Sequence, residues 1–185
     1  MPGAQEDVLV LTVVRHAEAA SISSGINSDS DRPLTARGMT DALAIGRVIA
    51  LLGQQPSIVM TSPLLRAVQT GSAIAESLNQ PLTSSVNPVL APGFEPRGLL
   101  EELEALLRSG VKSLVAVGHQ PDLGKFITYV IAGRGTSSLG LVPGSAARLS
   151  IRFTGAHPEG ILQWLVPPDA ARAFLSVQLP SAAKP

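Results

Sequence analysis

Arg15-His16, Arg66 and His119 are the residues of this chain whose types and placement suit chemistry. A neutral imidazole serves as nucleophile or general base near pH 7. A guanidinium offers a planar fork of donors that matches a carboxylate or a phosphate. Arg15 directly follows a largely apolar run, and Arg66 lies just inside a segment that starts with Ser62-Pro63. Arginine in such places needs an anion, because an unpaired buried charge is costly. Two kinds of anion fit. One is a nearby carboxylate, Glu18, Asp29 or Asp31, in a salt bridge; the other is a phosphate, which a helix N-terminus at Ser62-Pro63 would also favour. None of the three histidines pairs at a metal-ligand spacing such as HxxxH, so no metal site is expected. The chain has no cysteine, which excludes disulfides, thiolate metal sites and a cysteine nucleophile.

Such residues work only if the fold brings them together. Residues 8–14 are largely apolar without period-2 alternation, as expected for a strand buried on both faces. The same holds for residues 57–61 and 113–117. A weaker strand is expected over 84–90, and two more over 146–153 and 160–166, joined by a turn at GAHPEG. Helical spacing predicts helices over 36–52, 62–78, 99–108 and 121–132, the second stopping at Asn79. Strands alternating with helices imply an α/β fold, three layers α/β/α around a mostly parallel sheet. Ligands in such sheets bind at the carboxyl ends of strands. Three expected strands end on Arg15-His16, on Thr61-Ser62 with Arg66 one turn on, and on Gly118-His119.

The chain has 185 residues, which fits a single domain over 1–185 with a mobile tail expected after about residue 167. A chain of this size buries roughly 70% of its unfolded surface and needs no staple. Charged residues are 15% and apolar residues 45%, with zero net charge. That balance speaks against a general nucleic-acid partner, which needs a basic stripe. The acidic start and the short apolar run resemble neither a signal peptide nor a membrane span. The expectation is a cytoplasmic protein with no membrane partner.

Four blocks then resemble the histidine phosphatase superfamily, whose fold is that of the phosphoglycerate mutases. Arg15-His16-Ala17 resembles its RHG signature, with Ala17 in place of glycine. RPLTARG (residues 32–38) is similar to its PLTxxG segment, SPLLRAVQT (62–70) to its SPLxRAxQT block, and GHQP (118–121) to its second-histidine block. The short chain, the arginine of RPLT and the late Gln163-Trp164 strand point to the SixA-like branch of phosphohistidine phosphatases. The resemblance implies that His16 takes the phosphoryl group as a covalent phosphohistidine. It implies that Arg15, Arg66 and His119 bind phosphoryl oxygens, with no cofactor. The expected function is that of a metal-independent phosphatase acting on phosphohistidine in a partner protein. The alternatives are a phosphomonoesterase for small esters or for phosphoserine and phosphothreonine, and a non-catalytic phosphate-binding domain.

Relatives that cleave esters usually carry an acid after the third strand. Here Glu95 is the candidate, ahead of Glu101 and Glu102, and no clear motif marks it. A phosphoramidate has a basic leaving nitrogen that solvent can protonate, so a dedicated acid matters less. Arg32 is a candidate third cation at the site rim, against a surface salt bridge with Asp29 or Asp31. Ser62 and Thr35 read as helix caps. Gln69 and Thr70 read as supports for Arg66, His157 as a surface-turn residue and Trp164 as core. Ala17 raises the question of whether its Cβ crowds the site floor.

Overall fold

A computed structural model describes residues 8–22, 25–53, 55–78, 83–133, 138–154 and 157–178. Six strands form one mixed sheet: β1 Val8–Arg15, β2 Ile58–Thr61, β3 Thr83–Val86, β4 Ser113–Gly118, β5 Ala146–Thr154 and β6 His157–Val166. Five helices flank it: α1 Ala36–Leu51, α2 Leu65–Leu78, α3 Pro96–Arg108, α4 Asp122–Ala132 and α5 Pro168–Gln178. The strand order is β3-β2-β4-β1-β5-β6. The first four strands pair in parallel; β5 joins β1 antiparallel, and β6 pairs antiparallel with β5 at the sheet edge.

The unalternating pattern of β1 has a direct cause. Leu9, Leu11 and Val13 pack against α3 and α4 on one face, and Val14 packs against α1, α2 and α5 on the other. Each fully buried Leu or Val contributes roughly 1.5–3 kcal/mol. That burial makes β1 a rigid mount. Its end is level with its neighbours: Arg15 stands opposite Gly118, and Thr61 opposite Val117. Two backbone bonds continue the row, from His16 N–H to the Gly118 carbonyl (3.0 Å) and from Ser62 N–H to the Val117 carbonyl (2.9 Å).

Several boundaries differ from the sequence reading. Helix α2 begins at Leu65, three residues after Ser62, so Ser62 serves a turn before the helix. Its oxygen accepts from Leu64 N–H at 3.3 Å. The third strand ends at Val86, where Asn87 opens a 3-10 turn at Pro88–Leu90 by accepting from Val89 N–H. His157 lies in β6, opposite Thr154, and not in a turn. The first part of the tail, which the sequence pattern assigns to no element, is helix α5, held to α1 by ion pairing of Arg172 with the buried Asp41. Pro168 opens it, at the helical position where proline is tolerated. The expected stop at Asn79 and the chain beyond Gln178 lie outside the described residues. Among the described residues no helix is long and apolar enough to cross a membrane.

Helix α1 is docked beside the end of β1 through Thr35, which caps it by accepting from Gly38 N–H (3.0 Å). Thr35 N–H also donates to the Glu18 carbonyl at 2.9 Å. A Cβ on Gly38 would run into that same carbonyl oxygen. Gly38→Ala is therefore expected to destabilise the fold by about 1–3 kcal/mol through overpacking. The displaced backbone is two residues from His16, so activity should fall as well. Thermal unfolding and steady-state rates check both effects.

Candidate active site

His16 sits one residue beyond the end of β1 and is partly buried. Its Nδ1 lies 2.8 Å from the Ala17 carbonyl oxygen. A carbonyl only accepts, so Nδ1 carries the proton and Nε2 carries the lone pair. The other contact agrees: Arg66 Nε–H donates to His16 Nε2 at 3.2 Å. Burial pushes the His16 pKa down to about 4. The Ala17 carbonyl opposes that shift, and the Arg66, Arg15 and Arg32 charges add to it. The imidazole is neutral near pH 7, with its lone pair held in one direction.

Ala17 does not crowd this floor. It is fully buried in a small cluster with Ala42 and Ala73. Its N–H donates to Thr70 Oγ1 (3.1 Å), whose hydroxyl donates to the Arg66 carbonyl (2.7 Å). Thr70 thus ties the nucleophile's strand end to the turn that carries Arg66. Gln69 does the same for the RPLT segment, with Oε1 accepting from Leu34 N–H at 2.7 Å.

His119 follows β4 and is buried. Its ring centroid is 5.1 Å from that of His16. His119 Nε2 lies 2.7 Å from Ser62 Oγ, and Nδ1 is buried with no hydrogen-bond partner. Ser62 Oγ has lone pairs to accept from Leu64 N–H and still either donate to His119 Nε2 or accept from it, so the contact holds the ring with Nε2 on Ser62 in either tautomer. The His119 pKa is lowered to about 3 by burial first, then by His16 and Arg66.

Arg15 donates from Nη1 to the Leu141 carbonyl at 2.6 Å, and its Nε is buried without a partner. Burial lowers its pKa, but a guanidinium stays charged at neutral pH. Arg66 is buried, and beyond His16 it meets Asp29. Its Nη1 donates to the Asp29 carbonyl (2.6 Å) and its Nη2 to Asp29 Oδ2 (2.9 Å). Arg32 donates from Nη1 to Asp29 Oδ1 (2.9 Å) and from Nε to the Ala20 carbonyl (2.6 Å). Both guanidinium groups hold the Asp29 carboxyl below the usual carboxylate range, the Arg32 hydrogen bond most strongly.

The structure thus joins His16, Arg66, Asp29 and Arg32 in one hydrogen-bonded network, with the His119 ring beside His16 and Arg15 at the same sheet edge. It does not join Glu95 to them. Glu95 is exposed just before α3, and its carboxylate makes no hydrogen bond or ion pair to the described residues. Glu101 is exposed, and Glu102 accepts from Asn87 Nδ2 at 2.9 Å. Among the described residues no cluster of three or more histidine or acidic side chains is placed to hold a metal ion.

Ser62 is the residue whose role sequence reasoning missed. Its signal was its place directly after a buried strand, level with Gly118-His119. Ser62→Ala would leave a second His119 nitrogen buried without a partner, at about 1–3 kcal/mol. The expected result is a roughly ten- to hundredfold fall in kcat/KM. Steady-state kinetics against Ser62→Thr, which keeps a hydroxyl, check it.

The two histidines also set a stability window. Both are neutral when folded, with pKa values of about 4 and about 3 against 6.5 for a free histidine. Below pH 6.5 the unfolded chain binds protons that the folded chain refuses, so stability falls as pH drops toward 4. The thermal midpoint should decline across that window, and His119→Gln should decline less.

A family model for the histidine phosphatase superfamily (branch 1) matches residues 11–87. The phosphohistidine phosphatase SixA of Escherichia coli is 34% identical over 125 residues, 65% of this chain and 73% of that protein. An uncharacterized protein of Picosynechococcus sp. is 32% identical over 170 residues, 83% of this chain and 96% of its own. A solved structure of SixA complexed with tungstate superposes with a TM-score of 0.77 at 26% identity, covering 87% of this chain and 98% of the other. The chain belongs to the histidine phosphatase superfamily and is a phosphatase of that class. Within the superfamily it is SixA-like in both sequence and fold.

Proposed function

We propose that this phosphatase dephosphorylates phosphohistidine in a partner protein of the cytoplasm, by way of a covalent phosphoryl group on His16 Nε2. The observation that carries this reading is the fixed tautomer of His16. Its proton is committed to the Ala17 carbonyl, and its lone pair faces a guanidinium donor. Two buried atoms beside it, Arg15 Nε and His119 Nδ1, have no partner. Phosphoryl oxygens would satisfy both.

In the first step, His16 Nε2 attacks phosphorus, and the bond from phosphorus to the substrate imidazole breaks. The leaving nitrogen takes its proton from solvent. Arg66 Nε–H gives up the lone pair of His16 as the new bond forms, and turns to a phosphoryl oxygen. In the second step, water attacks the same phosphorus, and the bond to Nε2 breaks. Inorganic phosphate leaves with the remaining proton released to solvent. Phosphoryl transfer asks the protein for positioning and for neutralisation of the equatorial oxygens. Arg15, Arg66 and His119 supply both.

The phosphoramidate substrate is supported by the lack, among the described residues, of a proton-donating carboxyl group in the network. Its one carboxylate, Asp29, is held ionised by two arginines and is a poor proton donor. The name of the Escherichia coli relative, and the oxyanion bound in the SixA structure, point the same way. The test is to offer a phosphohistidine-bearing carrier protein and an aryl phosphate in parallel. Fast release from the carrier, with slow release from the ester, is expected. Turnover of the ester alone would overturn the substrate assignment.

A further inference from the structure

Asp29 has no task in the reaction above, yet it binds the residue that reaction depends on. Nε–H and Nη2–H point from the same edge of the Arg66 guanidinium, the edge that grips oxyanions in bidentate fashion. In the free protein Nε–H goes to His16 and Nη2–H goes to Asp29 Oδ2. A phosphoryl group on His16 Nε2 must take oxygens to that same edge. The Asp29 carboxylate therefore stands where a substrate oxygen has to come.

The two partners are unequal in their setting. The Arg66 side chain is 6% exposed and the Asp29 side chain 54%. Asp29 belongs to a 3-10 turn, Asp29–Asp31, that contains no buried residue. The turn is held by polar contacts: Ser28 Oγ donates to Asp31 Oδ2, and the Asp29 carboxylate bridges Arg32 and Arg66. Releasing it costs no core packing. The guanidinium, by contrast, stays fixed beside His16.

Resting on the phosphatase reading, we propose that Asp29 is a specificity-determining residue: a resident anion that the phosphoryl group displaces from Arg66, which lowers the site's affinity for free phosphate. A simple phosphate then competes poorly with the internal carboxylate, and the product leaves readily. A phosphorylated protein brings further contacts of its own and displaces the carboxylate. Arg32, freed from Asp29 at the same moment, becomes a donor at the rim.

The test is calorimetric titration of the full chain with inorganic phosphate and with tungstate, which needs no turnover. Asp29→Asn keeps the size and the main-chain carbonyl contact but removes the charge. It is expected to bind both oxyanions about fivefold tighter or more, and to be inhibited by phosphate correspondingly more. Asp31→Asn loses one charge in the same turn away from Arg66, and should bind as the wild type does. Unchanged or weaker binding by Asp29→Asn would overturn the proposal and reduce Asp29 to a support for Arg66. Equal tightening by both variants would overturn it too, in favour of general charge. Absence of oxyanion binding in the wild type and in Asp29→Asn would overturn the phosphatase reading with it.

Discussion

His16→Ala is expected to lower kcat/KM by on the order of 10⁴-fold or more, because it removes the atom that takes the phosphoryl group. It should leave oxyanion binding partly in place, since Arg15 and His119 are mounted independently of the imidazole. Arg15 is held by the Leu141 carbonyl and His119 by Ser62. The folded state should not suffer below pH 6.5, because one buried neutral histidine has been removed. Kinetics, tungstate titration and thermal unfolding on one preparation separate these effects. A variant that lost binding and activity together would indicate that His16 organises the cradle and does no chemistry.

Arg66→Ala is expected to cost about 10²–10³ in kcat, the scale seen when a preorganised donor to a developing charge is deleted. Arg66 does more than donate one bond. It fixes the direction of the His16 lone pair, contributes to that histidine's lowered pKa, and holds the turn that carries Asp29. Arg66→Lys restores the charge but not the planar fork. It is expected to recover less than about tenfold of the loss. Full recovery with lysine would mean that charge alone suffices and that the fork geometry is incidental.

The frame of this site was legible because three strands are buried on both faces. Residues such as Leu9, Val13 and Val14 leave no room for another assignment, and the residue after such a strand must lie at the sheet's carboxyl edge. What the sequence could not show depends on register and on turn geometry. Ser62 and His119 are 57 residues apart, and they meet because Thr61 and Val117 stand opposite each other. Arg66 had three acidic candidates, Glu18, Asp29 and Asp31, and Arg32 had the last two. The 3-10 turn gives them Asp29, while Glu18 accepts from Thr35 and Asp31 from Ser28. The tail hid a helix because its apolar stripe is short, the buried Pro168 and Ala171 and the partly buried Leu175, with the charged Arg172 beside it. Glu95 was legible as a loop residue, but where a loop carboxylate points is not encoded in local pattern.

Covalent capture of the phosphoryl group tests the central claim most directly. The wild-type protein is mixed with phosphohistidine carrier, quenched under alkaline denaturing conditions within one turnover, and digested for peptide mapping. A phosphoryl group on His16, stable in base and lost in mild acid, is the predicted result, with none in His16→Ala. A turnover-competent enzyme that carries no label, or a label on His119 or on a carboxylate, would contradict it.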